Sequence, residues 1–159
     1  MPGIVALQIG ELPNMPRLND ITLRIVERAV ARWRGSPSSV LVCESCPMGE
    51  VALAHGLPPD RLRIAIPEPS GHTTRWAAER IRVMPEVAQA GGVLLITHRL
   101  HAGRAARMFR SLGLRTAVEG LAIPFNPGDL DWKLRSDLAF RSYNAIAYAY
   151  CFARGWLSL

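Results

Sequence analysis

The chain has 159 residues, a mass of 17.5 kDa, a formal net charge of +6 and an isoelectric point near 10.0. At 49% hydrophobic and 20% charged it is too apolar for a disordered chain, and its length suits one domain with a real core. No run approaches the roughly 18 uninterrupted apolar residues of a membrane helix. The opening residues lack a basic n-region and meet Glu11 and Pro13 early, unlike a signal peptide, so a cytoplasmic single domain over 1–159 is expected.

The chain alternates short apolar runs with longer helical segments. Ile4–Ile9 reads as a buried strand ended by Gly10. Asn19 or Asp20 can cap a helix in which Thr22, Leu23, Val26, Val30 and Trp33 follow helical spacing, and Gly35-Ser36-Pro37 stops it. Ser39–Cys43 is a second strand, Met48–His55 a short helix, and Leu62–Ile66 a third strand closed by Pro67 and Pro69. A helix over about 73–88 opens on the hydroxyls of Ser70, Thr73 and Thr74, and Pro85 kinks or ends it. Val93–Thr97 is the clearest strand. A helix over about 100–112 then stops at Gly113, and Leu114–Val118 is a fifth strand. A stretch with Pro124, Pro127 and Gly128 leads to a last helix near 130–154. Its Tyr143, Ile146, Ala147, Tyr150 and Phe152, with Trp156 just beyond, form an apolar surface expected to pack on the sheet, a homodimer face being the alternative.

Repeated strand–helix units with continuously apolar strands predict an α/β domain with a mostly parallel sheet of about five strands and helices on both faces. Ligands in such folds sit outside the carboxyl ends of the strands. Candidate positions therefore follow the strands: Gly10-Glu11, Cys43–Met48, Glu68–Thr74 and Thr97–Arg104. No phosphate loop, G-x-G-x-x-G, G-x-S-x-G or H-E-x-x-H motif occurs.

At Thr97-His-Arg-Leu-His101-Ala-Gly-Arg104 a strand passes into a helix, and His101 and Arg104, three apart, share one face of its start. Backbone N–H groups and the helix dipole favour an anion there, and a guanidinium with an imidazole would complete a phosphate or carboxylate pocket; solvated polar residues are the plainer reading. Glu68, just beyond a buried strand, can orient a hydroxyl, act as a base or hold a cation, while Ser70 or Thr73 can simply cap a helix. Cys43-Glu-Ser-Cys46 admits a dithiol pair, half of a zinc site completed by His98 and His101, or inert thiols. All basic residues but Lys133 are Arg, yet they are dispersed, which speaks against a nucleic-acid face.

The elements Leu57-Pro-Pro-Asp-Arg-Leu62, Glu68-x-Ser70-x-x-Thr73 and Val93-Leu-Leu-Ile-Thr97-x-x-x-His101-x-x-Arg104-Ala105 resemble the YdcF-like family, a bacterial domain of unknown function related to SanA and ElyC. The likeness implies a single Rossmann-like domain with its pocket at the strand carboxyl ends, and S-adenosylmethionine as a cofactor or ligand. Together with the residue reading it yields one expectation. A small phosphate-bearing or nucleoside-like ligand is held by Thr97, Arg104, Ser70, Thr73, Gly10 and Glu11. If the protein is an enzyme, a phosphoester hydrolase or transferase, His101 is the acid and Glu68 the base. A non-catalytic S-adenosylmethionine-binding module and a basic nucleic-acid-binding protein are the alternatives.

Overall fold

A computed structural model describes residues 3–7, 18–66, 73–129 and 131–157. Strands β1 (Gly3–Ala6), β2 (Leu41–Ser45), β3 (Leu62–Ile66), β4 (Gly92–His98) and β5 (Arg115–Leu121) form one all-parallel sheet in the order β3-β2-β1-β4-β5. Helices α1 (Asp20–Arg34), α2 (Cys46–Ala54), α3 (Thr74–Arg82), α4 (Pro85–Ala90), α5 (Arg99–Ser111) and α6 (Asp137–Ala153) complete it. This is a Rossmann-like three-layer α/β domain. None of the described helices is long and apolar enough to cross a membrane.

The central strands are apolar on both faces because helices cover both. Ile4, Ala6, Leu41, Cys43 and Ile96 face α1 and α2, while Val5, Leu7, Val42, Val93 and Leu95 face α3, α4 and α5. The chain runs outward from β1 through β2 to β3, crosses back to β4, and then runs outward to β5. The reversal puts the switch point, where such sheets open a crevice, between β1 and β4.

Local signals set the element ends. Asn19 caps α1 by accepting the Thr22 N–H at 2.8 Å. Pro85 occupies the first turn of a separate helix, α4, where its missing N–H costs nothing. Close approaches favour glycine at Gly49 and Gly120, as at Gly92, where a Cβ would lie 2.8 Å from the Arg115 carbonyl oxygen. A Cβ on Gly49 would lie 2.5 Å from Ile64 Cδ1, where α2 crosses β3, and one on Gly120 would lie 3.1 Å from the Arg99 Cα.

Two expectations are corrected. The last helix begins at Asp137, not near 130, because Trp132–Leu134 forms a separate 3-10 turn and Ser136 caps α6 through the Ala139 N–H. Nor does the whole apolar surface of α6 pack inward. The helix contacts α5 through one face, burying Phe140, Asn144 and Cys151, and leaves Ile146 and Tyr150 in solvent.

Candidate functional site

β4 enters the site at Thr97, passes directly into α5 at Arg99, and delivers three polar residues in sequence. Thr97 is 0% exposed, and its Oγ1 has no hydrogen-bond partner among the described residues. A buried hydroxyl left unsatisfied costs about 1–3 kcal/mol, so the position calls for a partner.

His98 ends the strand and caps α5. Its Nδ1 accepts the Leu100 N–H at 3.3 Å, which leaves Nε2 to donate to the Ile123 carbonyl at 2.9 Å. The ring packs against Phe125 and Phe140, with centroids 4.7 and 5.9 Å away. Burial and, to a lesser extent, the nearby Arg99 pull its pKa below the usual imidazole value, against the Ile123 hydrogen bond. With both nitrogens engaged, His98 holds the strand–helix junction and has no free lone pair for a metal.

His101 and Arg104 lie one turn into α5, 3% and 7% exposed. Arg104 Nη2 is 3.1 Å from His101 Nδ1, and a guanidinium can only donate, so Nδ1 accepts and the neutral ring carries its proton on Nε2. Burial, then the adjacent Arg104 and His98, hold the His101 pKa well below the ordinary value. Arg104 Nε donates to Asn144 Oδ1 at 3.2 Å, and Asn144 Nδ2 donates to the Leu100 carbonyl at 2.5 Å. Asn144 on α6 therefore ties the guanidinium to the backbone of α5. The Tyr143 ring lies 5.7 Å from Arg104 Cζ.

The electrostatics of Arg104 are unlike those of the surface arginines. Arg28 and Arg32 meet Glu119, Arg63 meets Glu86, Arg75 meets Glu79 and Arg99 meets Asp137, all partly exposed pairs. Nearby Lys133 is paired with Asp131 at 3.1 Å. Arg104 is buried with only neutral partners, and among the described residues no carboxylate pairs with it. A buried charge without a counter-ion is among the most costly arrangements in a protein.

Of the other expected residues, Thr73 is exposed and caps α3, its Oγ1 accepting the Trp76 N–H at 3.2 Å. Glu68, Ser70, Gly10 and Glu11 lie outside the described residues. Cys43 is buried in β2, where desolvation pushes its thiol up to about 12 and keeps it protonated, while Cys46 is exposed at the start of α2. A cleft of about 410 Å³ opens beside the start of α5, lined by Arg99, Ile123, Phe125, Ser136 and Asp137.

Sequence spacing paired His101 with Arg104 but missed His98 as a cap and Asn144 as a tether. Asn144 comes from an element forty residues away, and only its position as a lone amide on an apolar helix marked it. Comparison with family models, with curated proteins and with solved structures returns no match.

Proposed function

We propose that the crevice at the carboxyl ends of β1 and β4 binds a small anionic metabolite, phosphate-bearing or nucleoside-like. The observation that carries this reading is the buried guanidinium of Arg104, which pairs with no carboxylate among the described residues. The ligand's anion is its counter-ion. The His101 Nε2–H and the Thr97 hydroxyl add neutral donors at the start of α5, where the helix dipole also favours negative charge. The T-x-x-x-H-x-x-R-A likeness to the YdcF-like family points the same way.

Should the protein turn its ligand over, phosphoester hydrolysis or transfer fits an anion held in this manner, with Glu68 as the base. His101, neutral at physiological pH, then serves as a hydrogen-bond donor to the phosphoryl oxygens rather than as an acid charged beforehand. A second reading draws on the same guanidinium, which pairs equally well with the carboxylate of S-adenosylmethionine.

Thermal unfolding of the wild-type protein with pyrophosphate, ADP and S-adenosylmethionine tests the site. A ligand at about 100 times its Kd adds about 2.7 kcal/mol, or several degrees in Tm for a domain of this size. The Arg104→Met protein should show no such rise. A wild-type Tm unmoved by all three compounds at millimolar concentration would sink the reading.

A further inference from the structure

Helix α6 is apolar nearly all round. From Ser142 to Ala153 it holds no charged residue, in a chain that is 20% charged. Its inner side buries Phe140, Asn144 and Cys151 against the domain. The opposite side lies in solvent, with Leu138 74%, Ile146 67% and Tyr150 47% exposed. The outward sides of α1, α3 and α5 carry charge instead, at Glu27 and Arg28, at Glu79, and at Arg107 and Arg110. A helix that is apolar all round is one that is covered all round.

The exposed side consists of two rows at four-residue spacing, and such rows lie side by side on a helix surface. Leu138, Ser142, Ile146 and Tyr150 form one row. Arg141, Ala145, Ala149 and Ala153 form the other, and all eight residues are exposed. The two rows fit each other. With two copies of α6 antiparallel about a two-fold axis between Ala145 and Ile146, Leu138 meets the partner's Ala153, Ser142 the partner's Ala149 and Ile146 the partner's Ala145. The larger side chains then fill the grooves that the alanines leave, and Tyr150 meets the partner's Arg141, ring against guanidinium. The same register sets Asp137, in the first turn, level with the partner's Arg154, just past the last. Opposite charges and opposite dipole ends then coincide, whereas a parallel pair would set like ends together. A two-fold interface makes each contact twice from one surface, and this face supplies both halves of every contact.

We infer that the protein forms a homodimer through the exposed side of α6, with the helices of the two copies antiparallel. A 17-residue helix is about 25 Å long. One helix pair of that length falls at the small end of specific interfaces, below about 1,200 Å² in total. The formal charge of +6 on each copy adds repulsion. The dimer is therefore reversible and forms at micromolar concentration. It stands independently of the anion site.

Sedimentation equilibrium between about 1 and 300 µM tests the inference. Wild type should pass from monomer to dimer and go no further. Ala145→Glu and Ile146→Glu place a charge beside the axis, against its own copy. Each should keep the wild-type circular dichroism and weaken the dimer at least about 10-fold, which is about 1.4 kcal/mol. The orientation is read by cysteine pairs under oxidised glutathione, in a Cys46→Ser background that removes the exposed native thiol. Ala145→Cys should link to itself. Leu138→Cys should not, but it should link to Ala153→Cys when the two variants are mixed. A wild-type monomer throughout the range, open-ended association, or a dimer indifferent to both glutamates overturns the inference. Leu138→Cys linking to itself overturns the antiparallel arrangement. If neither glutamate variant folds, wild-type sedimentation and the cysteine pairs decide.

Discussion

Arg104 and its neighbours concentrate the residue-scale consequences. Methionine at 104 keeps much of the stem packing and removes the buried charge, but it leaves His101 Nδ1 and Asn144 Oδ1 without their donor. These effects oppose one another, so Arg104→Met should change stability by no more than about 1–2 kcal/mol while abolishing anion binding. A urea midpoint far below wild type would show that the guanidinium is needed for the fold itself. The two histidines give a pH signature. Both have folded pKa values below the ordinary imidazole value, so the unfolded chain takes up protons first as pH falls below about 6.5. Their contribution is fully present above that value and is lost as pH falls towards the folded pKa values, at up to about 1.4 kcal/mol per pH unit for each ring. The wild-type Tm should drop between pH 7 and 5, and His101→Gln should flatten that drop. A Tm constant over this range would contradict the burial described for these rings.

At the scale of elements, the tightest fit is α2 on β3. Gly49→Ala gains helix propensity of about 1 kcal/mol but drives its Cβ against Ile64 Cδ1. Gly49→Ala should therefore destabilise by about 1–2 kcal/mol, and Ile64→Val, which removes that methyl, should reverse the sign. A double-mutant cycle of denaturation midpoints measures the coupling, and additive effects would refute the contact. Elements were legible in the sequence where local chemistry decides them. β3 is legible at its observed bounds because prolines flank an apolar run, whereas the sequence leaves Asn19 and Asp20 both open as the α1 cap, and Asn19 is the one whose amide oxygen accepts an N–H. The α6 boundary and its buried face were not legible, because α5 decides which side of α6 is covered, and α5 is distant in sequence. The same holds for the site. His101 and Arg104 announce themselves by spacing within one helix. That no carboxylate among the described residues pairs with Arg104, which gives the pair its meaning, is visible only in three dimensions.

For the whole molecule, the β5 edge is tied to α1 by a two-arginine clamp. Glu119 receives Arg28 Nε at 2.5 Å and Arg32 Nε at 2.6 Å. Burial raises the Glu119 pKa, but hydrogen bonds and charge from the two arginines outweigh it and leave the carboxyl below its ordinary value. A depressed acid stabilises the fold above its unfolded pKa of about 4.3, and that contribution disappears as pH falls through the folded value. Both arginines are about half exposed, so the clamp contributes about 1 kcal/mol in total, and less at high salt. Wild type should exceed Glu119→Gln in urea midpoint at pH 6 and low salt, and the gap should shrink as pH falls below the unfolded carboxyl value of about 4.3 or in 1 M salt. A gap indifferent to both conditions would mean that packing, not charge, holds this edge.

The strand order has a consequence for how the protein is made. β1 lies in the middle of the sheet, pairing β2 on one side and β4 on the other. A ribosome releases β1 first and can give it β2 and β3 early, but its other edge stays open until residues beyond 92 emerge to pair Gly3 with Val93. Until then the nascent chain displays a bare apolar strand edge, the kind of surface that invites aggregation and chaperone capture. The same order makes β1 the seam of the finished sheet, because it is the strand that hydrogen-bonds to β2 on one side and to β4 on the other.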